Sequence, residues 1–208
     1  MDEAASRLWA EREFDVPRET MARLDIFAAL LRDENERQNL VSRGSLHQLW
    51  LRHIADSAQL LRWAPSPDAS WVDLGSGAGF PGLVVAALHG GPVALVEERK
   101  LRVDFLRRAA AVLGAEGTEV IASKVERLDR RPFDVISARA FAPLGRTFEL
   151  GARFSTLKTR WILPKGRNAR SELEAVESSW QGSFRIEPSL TDPDAGIIVA
   201  EGIKRKRA

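Results

Sequence analysis

An aspartate followed by glycines at alternate positions, Asp73-Leu74-Gly75-Ser76-Gly77-Ala78-Gly79, is the stretch of this chain with the most chemistry to offer. Apolar residues flank it, Trp71-Val72 before and Leu83-Val84-Val85-Ala86-Ala87-Leu88 after. The pattern predicts a buried strand, a glycine loop and a helix, which is where an α/β sheet holds a nucleotide-like ligand. Glycines let the backbone approach a ligand in conformations that a Cβ forbids. The helix N-terminus beyond them offers unpaired N–H groups. Glu97 lies about 20 residues beyond Gly77, the offset at which nucleotide folds place a carboxylate for ribose hydroxyls. It could also serve as a first-turn helix acid favoured by the dipole.

Glycine spacing bears on the choice of ligand. A dinucleotide loop reads G-x-G-x-x-G, and the position that pattern requires is Phe80 here. The loop resembles instead the S-adenosylmethionine loop of class I methyltransferases, and Asp73 suits a ligand carrying an ammonium and a sulfonium. An ordinary glycine turn stays open at this level. A nicotinamide-dependent oxidoreductase fares worse, since Phe80 and the absence of tyrosine both count against it. A second constellation is Arg52, His53, Asp56 and Ser57, which i,i+3 and i,i+4 spacing gathers around one side of a helix. By spacing alone it reads as an Arg52–Asp56 surface pair beside a core-edge histidine.

These groups need elements to hold them. Residues 1–13 predict a short helix gripped by Leu8 and Trp9, and Pro17 opens a second whose Leu24, Phe27, Ala28 and Leu31 share a face. Ser45-Leu46-His47-Gln48 is a capping-box signature for a third helix reaching about Leu61. Pro65-Ser66-Pro67-Asp68 is a linker. Beyond it strands alternate with helices: residues 71–74, 92–96, 119–122, 133–137 and 160–163 as strands, with a helix after Glu97 burying Leu101, Phe105, Leu106, Ala109, Val112 and Leu113. A further helix covers about 172–179, and residues 184–190 and 196–202 form an antiparallel pair around Asp192-Pro193-Asp194. Parallel sheets bind ligands beyond their carboxyl ends, so the strand tips face one crevice. The expected domains are a helical extension over 1–64, a sheet domain over 69–203 and a basic tail over 204–208.

Composition narrows the chemistry. With 208 residues and no cysteine, the chain can build one full core without disulfides, thiolate metal sites or a cysteine nucleophile. His47, His53 and His89 lack ligand spacing, so no metal is expected. The absence of a long apolar run or signal-like start predicts a cytoplasmic protein off the membrane. Residues 1–68 hold 9 Lys/Arg against 12 Asp/Glu and residues 69–208 hold 22 against 17, a positive bias on the glycine-loop part that suits a phosphate-rich partner. Arginine outnumbers lysine 25 to 6, so the bias could equally reflect a GC-rich genome.

Several stretches together resemble one family. They are Asn39-Leu40, Arg52-His53-Ile54-Ala55-Asp56-Ser57, Asp73 through Gly82, Glu97, Phe105-Leu106, Val125-Glu126, Ser137-Ala138-Arg139-Ala140 and Leu163-Pro164-Lys165-Gly166. The chain is similar over about residues 25–170 to the bacterial small-subunit ribosomal RNA methyltransferase G family (glucose-inhibited division protein B). The resemblance implies a class I S-adenosylmethionine-dependent methyltransferase fold, Rossmann-like, with a mostly parallel seven-stranded sheet and an N-terminal helical extension. It implies methyl transfer from S-adenosylmethionine to N7 of a guanine in 16S rRNA, by a monomer acting on the small ribosomal subunit. By the same resemblance Gly75 and Gly77 line the donor's methionine end, Phe80 flanks the donor, Glu97 takes the ribose and Val125-Glu126 lie beside the adenine. Arg139 sits where donor and base meet, while Arg52, His53, Asp56 and Lys165 face the RNA. Lys124 departs from the arginine often found there, keeping a cation without the bidentate fork. Guanine N7 has a free in-plane lone pair, so no general base is required. A non-catalytic assembly factor would be expected to lose Arg139 or the glycines, and both are present.

Overall fold

The computed structural model describes residues 2–206. Helix α1 (Glu3–Glu13) is capped by Asp2, whose Oδ1 accepts from Ala5 N at 2.8 Å. Its buried residues are Ser6 and Ala10, while Leu8 stays exposed, so the expected Leu8 grip is replaced by smaller residues. Helix α2 (Arg18–Gln38) buries Leu24, Phe27, Ala28 and Leu31 as its spacing predicted, and stops at Asn39 in the left-handed region. The next cap is Ser42, not Ser45: the Ser42 hydroxyl accepts from Ser45 N and opens the single turn α3 (Arg43–Leu46). The expected regular helix to Leu61 instead begins with a π turn over Trp50–Ala55, passes through α4 (Asp56–Ala58) and tightens to 3₁₀ over Gln59–Trp63.

The sheet is as expected in order and number, with bounds that differ by a few residues. Strands β1 (Trp71–Leu74), β2 (Val93–Glu97), β3 (Glu119–Ala122), β4 (Val135–Ser137) and β5 (Arg160–Gly166) are parallel. Strand β7 (Gly196–Arg205) runs antiparallel between β5 and β6 (Trp180–Pro188), giving the order β3-β2-β1-β4-β5-β7-β6. Because β7 runs to Arg205, Lys204 and Arg205 belong to the sheet rather than to a tail. Lys206 is also held, its N–H donating to Ser179 O at 2.8 Å; Arg207 and Ala208 lie outside the described residues.

Alternation along β1 divides the core. Trp71 faces a layer made by α1, α2, the irregular helical run, α5 (Gly82–Leu88) and α6 (Lys100–Val112). Val72 and Leu74 face α7 (Leu144–Gly151) and α8 (Ala169–Glu177). The sequence pattern gave no element for α7. Leu101, expected in the core, is 66% exposed on the outer face of α6, whereas Phe105, Leu106 and Ala109 are buried. The extension packs on the same face as the helix after the glycine loop, which brings its irregular run beside the tips of β1 and β4.

Candidate active site

Every group that could act here hangs from a strand tip or from the π turn that faces it. After β1, Gly75 and Gly77 take φ of +68° and +55°, conformations that a side chain strains. A Cβ on Gly75 would also run into the Phe141 ring. At the tip of β2, Glu97 is buried and reaches back: Oε2 accepts from Gly77 N at 3.1 Å and Oε1 from Arg99 N at 2.8 Å. These residues, with Lys124, Val125, Glu126, Phe141 and Arg146, enclose a cleft of about 430 Å³. Val125 is buried in the core beside it, and Glu126 is exposed with its carboxylate 3.3 Å from Arg146.

Asp73 is turned away from this cleft. Its side chain is fully buried, accepting from Ser137 Oγ at 2.7 Å and Gly82 N at 3.2 Å, while Trp71 Nε1 donates to Ser137 at 2.9 Å. Burial pushes the Asp73 carboxyl up to about 6, against the pull of these donors and of Arg139. The residue braces β1, the loop and β4 from inside. The expectation that it meets a ligand ammonium fails because the strand's alternation points it into the helical layer.

Beyond β4 the chain turns at Arg139 and Ala140, the latter at φ +51°. The Arg139 guanidinium crosses to the extension. Its Nη2 meets His53 Nδ1 at 2.9 Å, and Nη1 donates to Asp56 Oδ2 at 3.3 Å and to the Arg52 carbonyl at 3.2 Å. Burial lowers the Arg139 pKa, with Asp56 opposing most strongly. Since Arg139 can only donate, His53 Nδ1 accepts and its proton sits on Nε2, a buried atom without a partner among the described residues. Burial, then the Arg139 and Arg52 charges, hold His53 down to about 3. Phe80 lies under this cluster, stacked on His53 at 4.9 Å with the Arg139 guanidinium 5.2 Å from its ring centre. It does not line the donor cleft, because its ring packs on Phe27 in the core.

The π turn separates Arg52 from Asp56, so the surface pair that regular helical spacing suggested does not form; Asp56 pairs with Arg139 instead. The Arg52 side chain is exposed on the wall of a second cavity of about 680 Å³, shared with His53, Asp56, Arg139 and Ala140. Lys165 is largely covered: its Nζ donates to Ala142 O at 3.0 Å and pairs with Glu172 at 2.9 Å, bracing the turn after Arg139. Phe141, Ser137 and Arg146 complete the two cavities and were not singled out by sequence reasoning; only their positions at strand tips could have suggested them. Among the described residues no group of three or more His, Cys, Asp or Glu could hold a metal ion.

Comparison with known proteins decides the family. Residues 20–192 match the sequence model of the family described as rRNA small subunit methyltransferase G. The chain belongs to that family. A ribosomal RNA small subunit methyltransferase G from Rhizorhabdus wittichii is 51% identical over 98% of this chain and 94% of its own length. One from Novosphingobium aromaticivorans is 48% identical over 99% and 90%. Among solved structures, an O-methyltransferase from Bacillus cereus in complex with SAH superposes with a TM-score of 0.63 at 15% identity, covering 95% of this chain and 97% of that one. A nicotianamine-synthase-type structure titled MtNAS, in complex with S-adenosylmethionine, gives 0.61 at 18%, covering 93% and 82%. The fold is that of the class I methyltransferases, and membership in the family makes this chain an S-adenosylmethionine-dependent rRNA methyltransferase.

Proposed function

We propose that this protein transfers a methyl group from S-adenosylmethionine to N7 of a guanine in 16S rRNA, with the donor in the cleft at Gly75 and Glu97 and the base in the cavity at Arg139. The observation that carries this division is the loop after β4, whose Ala140 lines both cavities. The cleft fits the donor: left-handed glycines leave a wall without side chains, and the Glu97 oxygens keep lone pairs free for ribose hydroxyls after accepting two backbone N–H groups. When bound, S-adenosylmethionine supplies an electrophilic methyl carbon.

The protein's own part is placement. Phe141 closes the cleft over Gly75, and Val125-Glu126 flank its far end. Arg139 orients the base through O6 or a phosphate, since donation to N7 would block its lone pair. His53 and Asp56 fix the guanidinium, and Phe80 supports both from below. Arg52 takes the RNA from the rim and Lys165 holds the Ala142 turn. Orientation of this kind is worth up to about 7–11 kcal/mol of barrier. The target must be unstacked to enter. The extension over 1–64 and the sheet domain over 69–203 act as one unit, because each supplies half of the base cavity. The protein works as a monomer in the cytoplasm on the small subunit.

A methyl-transfer assay on purified 30S subunits and on naked 16S rRNA, followed by mass-spectrometric mapping of modified guanines, tests the reading. Transfer to a single guanine N7, abolished by Arg139→Ala, is the expected result. Tight donor binding with transfer to neither RNA would favour an assembly factor.

A further inference from the structure

Asp56 holds Arg139 by one carboxylate oxygen only, and the other is occupied from elsewhere in the chain. Oδ1 accepts from Gln59 Nε2 at 2.8 Å and from Thr191 Oγ1 at 2.8 Å, which leaves Oδ2 for Arg139. Gln59 is fully buried and its orientation is fixed: Leu190 N donates to its Oε1 at 2.8 Å, so the amide nitrogen must face Asp56. The segment between β6 and β7 that carries Thr191 is itself pinned, with Asp192 accepting from Asp194 N and Ala195 N, and Ser189 N donating to Ala195 O at 3.1 Å. No local helix geometry ties residue 59 to residues 189–191. The contact is a tertiary clamp between the extension and the closing hairpin, and its only charged member is the carboxylate that faces Arg139.

We infer that Gln59 and Thr191 are positioning residues for methyl transfer, acting through Asp56 to set the Arg139 guanidinium at the mouth between the two cavities. This rests on the reading of Arg139 given above. With Oδ1 held by two donors the carboxylate cannot rotate, and Oδ2 presents a fixed acceptor. If that hold is released, Arg139 keeps its charge but loses its aim, and an error of about 1 Å in placement can cost two orders of magnitude in rate. Donor binding, built from the β1 and β2 tips, is not touched.

The test uses the full-length protein with 30S subunits. Thr191→Val, which keeps the shape and removes the hydroxyl, is expected to lower kcat about tenfold, the scale of one hydrogen bond to a charged group. Affinity for S-adenosylmethionine by calorimetry should stay within about twofold, and Thr191→Ser should restore most of kcat. In an Asp56→Ala background, Thr191→Val should change kcat by less than about twofold, because the carboxylate it positions is gone. An equal loss in both backgrounds, or no loss in either, overturns the inference. Arg139→Ala runs alongside: if it transfers methyl at the wild-type rate the site reading itself falls, whereas loss there with a silent Thr191→Val removes the positioning role alone.

Discussion

The two cavities that meet at Ala140 are built in opposite ways. The donor cleft is made from neighbours: Glu97 reaches Gly77 across 20 residues and one strand pair, and backbone N–H groups supply its bonds. The base cavity is made from strangers. Arg139 reaches Asp56 across 83 residues, and Thr191 reaches Asp56 across 135. One region is preorganised by backbone conformation and the other by side chains around a buried charge. Changes to the first should therefore be read in donor affinity, and changes to the second in transfer rate.

The sharpest way to break that contrast is Arg139→Ala. It should lower methyl transfer to 30S subunits roughly 10²–10³-fold, as removal of a charge-stabilising donor does, while donor affinity by calorimetry stays within about threefold, well inside the differential-binding limit. If affinity and rate fell together, the two cavities would be one site. From the other side, Gly75→Ala should weaken donor binding by about 5–30-fold, the cost of a left-handed alanine, with further loss from the Phe141 ring. Turnover at saturating donor should change little. Glu97→Gln keeps the shape and removes the charge, so a loss of about tenfold in donor affinity is expected, again with little effect on RNA.

The smallest effect concerns pH. His53 holds its pKa near 3 in the fold against an ordinary 6.5, so between those values the unfolded chain takes a proton that the folded imidazole refuses. Acid therefore destabilises the protein through His53, and that contribution is complete above about pH 6.5. Asp73 runs the other way: its carboxyl, near 6 in the fold against 3.8, takes a proton first in the folded state, so stability through Asp73 rises as pH falls from 6 toward 4. His53→Phe, which keeps the stack on Phe80, should gain thermal stability relative to wild type on going from pH 7 to pH 4.5, measured as a difference in Tm. A constant difference across that range would mean that His53 titrates normally and lies in a wetter site than its burial indicates.

The contrast also explains what was legible. Leu24, Phe27, Ala28 and Leu31 declare their helix, and the apolar runs of β1 and β2 declare fully covered strands, because burial periodicity is a local property. Glu97 and the glycine loop were readable for the same reason. Leu8 and Leu101 were misread because an apolar side chain does not reveal which helix face meets a neighbour, and Ser45 because Ser42 offers an equivalent cap three residues earlier. Asp73 was assigned to the ligand because its place at a strand tip is visible in sequence, whereas the Ser137 hydroxyl that claims it is not.

The sequence by itself determined the alternation of strands and helices, the tight loop after β1 and the family to which these belong, since each depends on contacts between residues close along the chain. The pairing of Asp56 with Arg139 rather than Arg52, the tautomer of His53 and the clamp from Thr191 were decided only in three dimensions. A π turn rotated the helix, and burial made every remaining charge and lone pair seek a partner wherever the fold had brought one.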